Sequence, residues 1–312
     1  MIKVEHLTKN YGNLTAVDDI SFEVRDGEIL GFLGPNGAGK STTLRIMTSY
    51  LTPTAGNIYI NDMNVLDDSL NIRKVIGYLP ENNPLYPEMT VYDFLRFTAA
   101  VRGIEGNAFT IRLKEVSELC GLKGVIQKKI SELSKGYRQR TGLAQAIFHN
   151  PEILILDEPT TGLDPNQIVE IRNLIKQLGK EKTVVISSHI LQEIQATADR
   201  MIIINQGKIA ADGTIDEIMG SFMGLTRLHL EVENADDVSP LSKLHPDLKI
   251  VETLSNGPVR KIVLEYPNKL DLRKDVFKCA VARKWEILEM TRHRTSLEDM
   301  FRILTVKEGG EA

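Results

Sequence analysis

Polar and apolar residues alternate from the start of the chain to Val24: Ile2 and Val4, then Ile20, Phe22 and Val24, lie between polar neighbours, a period of two that predicts strands. Ile29-Leu30-Gly31-Phe32-Leu33 breaks that alternation and is apolar throughout, as are Ile153-Leu154-Ile155-Leu156 and, after Thr183, Val184-Val185-Ile186. Such runs suit strands buried on both faces, as a parallel sheet requires. Shorter strand signals stand at Ile58 to Ile60 and from Val75 to Leu79. Met201 to Ile204 and Lys208 to Ala210 flank Asn205-Gln206-Gly207, a hairpin signal.

Helical spacing fills the intervals. Thr42 to Tyr50 reads as a helix, and Thr90-Val91-Tyr92-Asp93 has the capping-box form that opens another, with Phe94, Leu95, Phe97 and Val101 as its apolar face. The helical pattern continues to about Asn150, with breaks at Gly103 to Asn107 and Gly121 to Gly124, so a helical insertion over about 82–150 is expected. Thr214-Ile215-Asp216-Glu217 caps a short helix to about Met219, and Gly220 to Gly224 is the expected boundary between a domain over 1–220 and a second over 225–312. There the order changes. A strand (Arg227 to Val232), a helix (Asp236 to Leu244), two strands around Ser255-Asn256-Gly257, a helix (Leu270 to Arg283), a strand (Trp285 to Met290) and a last helix (Thr295 to Leu304) give βαββαβ plus one helix. That order predicts a small α+β ferredoxin-like domain.

Charge and cysteine content narrow the function. A net charge of −4 gives no electrostatic footprint for nucleic acid, so no nucleic-acid partner is expected. Cys120 and Cys279 are far apart and lack metal-site spacing, which leaves them as buried apolar residues of a cytosolic protein. No apolar run approaches a membrane span, and Met1 opens directly into a strand, so the chain is expected to start folded and remain cytoplasmic.

The chemistry concentrates where apolar strands end. Gly34-Pro35-Asn36-Gly37-Ala38-Gly39-Lys40-Ser41-Thr42 fits G-x-x-x-x-G-K-[ST], between a strand and a helix. Glycines let backbone N–H groups converge on phosphates, the lysine reaches the outer phosphates, and the hydroxyl meets Mg²⁺. Asp157 and Glu158 close one buried strand and His189 another, at the strand ends where ligands bind in parallel sheets. Tyr11 lies upstream as an aromatic face for a base or as packing at a sheet edge. Asn268-Lys269-Leu270-Asp271 fits the guanine-reading N-K-x-D pattern, but it lies far from the phosphate loop and no D-x-x-G occurs, so it reads as a polar turn.

Between the helical insertion and the carboxylate strand stands Leu133-Ser134-Lys135-Gly136-Tyr137-Arg138-Gln139-Arg140. With it the sequence resembles the ATP-binding subunits of ABC transporters, whose signature is L-S-G-G-Q. From Tyr11 to His189 the family's motifs follow in order, including Gly162-Leu163-Asp164. The resemblance implies a P-loop NTPase fold, with a RecA-like core, an antiparallel β subdomain and a helical subdomain. It implies ATP and Mg²⁺ as ligands, adenine stacking on Tyr11, phosphates held by Lys40 and its loop, and Mg²⁺ near Ser41, Asp157 and Glu81. Glu158 would polarise the attacking water and His189 would contact the γ-phosphate. Ser134, Gly136 and Asp164 would complete the site of a second copy in a head-to-tail homodimer. The partners implied are membrane permease subunits on separate chains, with the chain peripheral on the inner face of the cell membrane.

Glu81 stands where the family has glutamine, and Lys135 and Tyr137 replace a glycine and the signature glutamine. These variants look like ATPases of the ABC-2 export type, and Leu79 to Tyr86 looks most like the gliding-motility-associated ATP-binding component. A transport motor is therefore the expected function. A soluble regulatory ATPase that senses ATP is the alternative. A ribosome- or DNA-directed relative would need a second cassette or a long coiled-coil insertion, and the sequence has neither.

Overall fold

Two compact units, Met1–Ile215 and Asp216–Ala312, make up the chain. The computed structural model describes residues 1–222, 225–267, 269–294, 300, 301, 304 and 305. In chain order the first unit holds β1 (Ile2–Tyr11), β2 (Leu14–Val24), β3 (Ile29–Leu33), α1 (Lys40–Met47), β4 (Ala55–Ile60), β5 (Met63–Asn64), α2 (Ser69–Val75) and β6 (Ile76–Leu79). It continues with α3 (Val91–Val101), α4 (Gly106–Leu119), α5 (Lys135–Ile147), β7 (Ile153–Asp157), α6 (Pro165–Gly179), β8 (Thr183–Ser188), α7 (Leu191–Gln195), β9 (Arg200–Asn205) and β10 (Lys208–Gly213). Helix α8 (Ile215–Phe222) spans the division. The second unit holds β11 (Leu225–Glu233), β12 (Lys249–Asn256), β13 (Val259–Pro267), α9 (Arg273–Ala282) and β14 (Glu286–Arg294).

The continuous apolar runs become the centre of a six-stranded sheet ordered β10-β9-β3-β8-β7-β6. Every residue of β3, β7 and β8 is buried. Strand β3 pairs in parallel with β8 on one side and β9 on the other, and β7 lies parallel between β8 and β6. Only β10 runs antiparallel, because the two-residue turn Gln206-Gly207, both residues left-handed, folds it straight back on β9. The alternating strands form a separate antiparallel sheet, β2-β1-β4-β5. Its inward residues Val4, Phe22 and Ile58 share one core with Phe32, Ile155 and Ile202, and the Phe22 and Phe32 rings meet at 5.5 Å between centroids. One face of the large sheet is thus covered by a second sheet.

Thr90 caps α3 as its sequence predicts, accepting a hydrogen bond from the Asp93 N–H at 3.0 Å. Other boundaries move. The phosphate-loop helix begins at Lys40, two residues before the expected start, and ends at Met47 rather than Tyr50. Val75 closes α2 instead of opening β6. That short helix buries only Ile72, too little apolar periodicity to register in the sequence. Between α4 and α5 the helical pattern lapses further than expected, leaving a 3₁₀ turn at Ile130–Glu132.

In the second unit the sheet order is β12-β13-β11-β14, all antiparallel, which is the ferredoxin-like arrangement. Its first helix is a correction: where a helix over Asp236 to Leu244 is expected, only a 3₁₀ turn, Ser239–Lys243, forms. The Asp237 carboxylate accepts from the Ser239 N–H at 2.8 Å and Pro240 follows, so the backbone enters a turn where helical bonding would begin. Helix α9 starts at Arg273 rather than Leu270. The opening of the final helix at Thr295, Asn268 of the N-K-x-D pattern, and part of the boundary segment Gly220 to Gly224 lie outside the described residues, whereas Met300, Phe301 and Leu304 of that helix are helical as expected.

Candidate active site

Strand β3 delivers the chain to Gly34 at the sheet's carboxyl edge, and the loop that follows has room only for glycine at its tightest points. A β-carbon on Gly34 would lie 2.3 Å from the Ile204 carbonyl oxygen, and one on Gly39 2.5 Å from that of Ala16. Gly37 and Gly39 also hold φ values of +80° and +109°, which side chains adopt at a cost. Gly39 precedes α1 without any side-chain cap, so the first-turn N–H groups of a buried helix face the loop without intrahelical partners. Such an uncapped helix N-terminus is suited to an anion. Lys40 is only 5% exposed, and its ammonium donates to the carbonyls of Gly34 (2.8 Å) and Pro35 (3.2 Å).

Strands β7 and β8 bring the carboxylates beside it. Asp157 Oδ1 accepts from the hydroxyls of Ser41 (3.0 Å) and Ser187 (2.7 Å), while the Ser187 Oγ accepts from the Glu158 N–H at 2.9 Å. Glu158 Oε1 lies 3.4 Å from the Lys40 ammonium, and its Oε2 contacts His189 Nδ1 at 2.8 Å and accepts from Thr161 Oγ1 at 3.1 Å. Glu158 has φ +50°, a left-handed backbone in a non-glycine residue at the point where β7 turns away from the sheet. Five residues read from three separate parts of the sequence, Lys40, Ser41, Asp157, Glu158 and His189, therefore form one hydrogen-bonded cluster.

Burial pushes the Asp157 carboxyl above the usual range, and the neighbouring Glu158 adds to this, while hydrogen bonds from Ser187 and Ser41 and the charge of Arg45 pull the other way. Its second oxygen, Oδ2, is buried with no hydrogen-bond partner among the described residues. A buried orphan carboxylate oxygen beside a hydroxyl fits a hard cation such as Mg²⁺, which takes oxygen donors and few protein ligands when phosphates and water supply the rest. Among the described residues no group of three or more His, Cys, Asp or Glu could hold a metal ion by itself. Ser41 and Asp157 are the side chains that would hold such a cation.

Other expected site residues lie apart from this cluster. Glu81 is exposed and forms no hydrogen bond to Ser41 or Asp157; it lines an open cavity of about 400 Å³ with Asn83, Lys135, Arg138, Gln139 and Thr161. Tyr11 is 46% exposed at the last position of β1, with the Lys9 ammonium 5.3 Å from its ring centre. Ser134 and Asp164 cap α5 and α6, accepting from the N–H groups of Tyr137 (3.4 Å) and Gln167 (3.0 Å). Gly136 lies so close to Gln167 that a β-carbon would come within 2.6 Å of its amide oxygen. Gly136, Tyr137, Asp164 and Gln167 line one shallow surface cavity. The sequence reading did not single out Ser187, Thr161 or Glu193; only the hydroxyl pair Ser187-Ser188 before His189 marks their place.

A family model described as ABC transporter matches residues 17–161, and residues 129–194 also match one described as AAA domain, putative AbiEii toxin, type IV TA system. The bacitracin transport ATP-binding protein of Bacillus licheniformis is 37% identical over 306 residues, covering 96% of each chain. The linearmycin resistance ATP-binding protein of Bacillus subtilis is 35% identical, covering 76% of each. Among solved structures, the dimeric bacterial ABC transporter cassette MJ0796 superposes with a TM-score of 0.64 at 29% identity, over 69% of this chain and 99% of that one. Sequence similarity along nearly the whole length and a matching nucleotide-binding fold agree: the chain belongs to the ATP-binding subunits of ABC transporters.

Proposed function

We propose that this chain is the ATP-hydrolysing motor of a bacterial exporter of the ABC-2 type, driving permease subunits carried on other chains. The observation that carries the reading is the convergence of Lys40, Ser41, Asp157, Glu158 and His189 in one hydrogen-bonded cluster beside the phosphate-loop helix. Hydrolysis of a phosphoanhydride needs positioning, charge neutralisation and a group that orients water, and these residues supply all three. Lys40 and the α1 N-terminus hold the β- and γ-phosphates. Ser41 and Asp157 hold Mg²⁺, which when bound neutralises charge on the phosphate oxygens. Glu158 orients the water and accepts its proton, and His189, bonded to Glu158 at 2.8 Å, fixes the direction in which that carboxylate points.

Tyr11 offers its exposed ring to adenine. Ser134, Gly136 and Asp164 sit away from this cluster, which supports a role in closing the site of a second copy; a head-to-tail homodimer then has two complete sites. Two dimeric structures of the cassette MJ0796, one of them described as a post-hydrolysis state bound to ADP and Pi, favour the same cycle. The exposed position of Glu81 favours a role at the cavity shared with Lys135 and Arg138 over a role as a metal ligand. Among the described residues no helix is long and apolar enough to cross a membrane, in keeping with attachment to the inner membrane face through permeases. Relatives named for bacitracin transport, multidrug transport and linearmycin resistance favour an antibiotic-like cargo over a part in gliding motility.

The test is Glu158→Gln. The variant is expected to bind ATP with parent affinity, to accumulate as an ATP-bound dimer by size-exclusion chromatography, and to lose turnover by about 100-fold or more. Hydrolysis at the parent rate would remove Glu158 from the reaction. A parent protein that binds ATP and shows no Mg²⁺-dependent turnover would instead favour a regulatory ATP sensor.

A further inference from the structure

Glu158 and His189 leave the sheet on two different loops, and something must fix the distance between them. The hydrogen bond between their side chains cannot do so alone, since His189 is 39% exposed and Glu158 sits on a left-handed backbone that persists only when its surroundings over-determine it. The bracing comes from α7. Glu193 Oε2 accepts from Thr160 Oγ1 at 2.6 Å and from Ser188 Oγ at 2.8 Å. Thr160 lies two residues after Glu158 and Ser188 immediately before His189, and both are buried. Ser188 Oγ in turn accepts from the Ile190 N–H at 3.0 Å, so one hydroxyl holds the backbone on either side of the histidine. Thr197 Oγ1 donates to the Glu193 carbonyl at 2.8 Å and secures the far end of the short helix.

We propose that Glu193 is a positioning residue for hydrolysis: one carboxylate oxygen ties the loop that carries Glu158 to the loop that carries His189 and sets their separation. The inference rests on the reading of Glu158 and His189 as the hydrolytic pair. The side-chain hydrogen bonds of Glu193 go to Thr160 and Ser188 and not to the phosphate loop or Lys40, so it is placed to act on turnover and not on nucleotide capture. Charge-assisted hydrogen bonds to two buried hydroxyls are strong, and removing the shared acceptor leaves both donors without it.

The experiment is steady-state hydrolysis and equilibrium ATP binding by the purified full chain as parent, Glu193→Ala, His189→Ala and the double variant, with thermal melts as a folding control. Glu193→Ala is expected to lower kcat on the order of tenfold to a hundredfold, the scale of misplacing a reacting group by about an ångström, with ATP affinity unchanged within about twofold. In the His189→Ala background the same change is expected to cost little more, because the two residues act on one element. Should Glu193→Ala fail to fold, Thr160→Val removes one of the two bonds with a side chain of the same shape and is read by the same criteria. Unchanged kcat, a loss that multiplies fully with that of His189→Ala, or a matching loss of ATP affinity would each overturn the role. An inactive parent would refute the hydrolytic reading itself, whereas an active parent with a fully active Glu193→Ala refutes only the positioning.

Discussion

Replacing Asp157 by asparagine is expected to make the nucleotide-free protein more stable while abolishing Mg²⁺-dependent turnover. The carboxylate is fully buried, its neighbour Glu158 is also acidic, and Oδ2 has no partner among the described residues. An amide keeps Oδ1 as acceptor for Ser41 and Ser187 and removes the buried charge. Leaving a buried polar group unsatisfied costs about 1–3 kcal/mol, and more when it is charged. The amide nitrogen still finds no acceptor and the attraction of Arg45 is lost, so the net gain is on the order of 1 kcal/mol. In a domain of this size that raises Tm by about 2–4 °C. The sign with pH follows from the raised carboxyl. Native Asp157 holds its proton more tightly than the unfolded chain does, so its contribution is fully present below the unfolded value of 3.8 and is lost as pH rises through the native one. The advantage of the variant should therefore be full at neutral pH and shrink on acidification. The assay is a melt of both proteins in EDTA without nucleotide from pH 4 to 8, beside ATPase rates with Mg²⁺. A lower Tm for the variant at neutral pH would show that the carboxylate is a net stabiliser without ligand, and the argument from the orphan oxygen would fail.

Two further changes test the packing around the site. Burial holds the His149 imidazole down at about 4 while its Nε2 donates to the Ile76 carbonyl at 3.0 Å, so its contribution is present above the unfolded value of 6.5 and is lost as pH falls towards 4; His149→Phe should flatten that part of the stability–pH curve, and an unchanged slope would refute the assignment. Gly142 leaves the notch in α5 where the Asn83 side chain sits, and a β-carbon there would lie 1.6 Å from the Asn83 amide nitrogen. Gly142→Ala should expel that side chain, break its 3.3 Å bond to the Arg138 carbonyl and cost about 1 kcal/mol in urea unfolding. Adding Asn83→Ala should then cost almost nothing more, and full additivity would count against the contact.

The parts of this molecule that could be read in advance are those in which local sequence and final environment agree. Ile153 to Leu156 is apolar at every position because β7 is covered on both faces, and Thr90 announces α3 because capping is settled within four residues. What could not be read depends on distant partners. Nothing near Ala55–Ile60 says that this strand pairs with β1, a partner from the chain's first residues. The acidic residue Glu193 on a five-residue helix follows no motif, and its meaning appears only when Thr160 and Ser188 are brought to it. The expected helix at Asp236 failed because the Asp237 turn and Pro240 outcompete an apolar periodicity that tertiary contacts alone cannot rescue.

The burial pattern of the site also decides where change can accumulate. Residues that follow the family's pattern at the chemical centre, Lys40, Asp157 and Glu158, are at most 6% exposed, so a substitution there bears on packing and chemistry at once. The three departures, Glu81, Lys135 and Tyr137, all lie at exposed positions, where a new side chain shifts stability by no more than about 0.5 kcal/mol. Changes at these rims can therefore accumulate without first having to repair the fold. The surroundings of the site are thus free to vary while its buried centre stays the same.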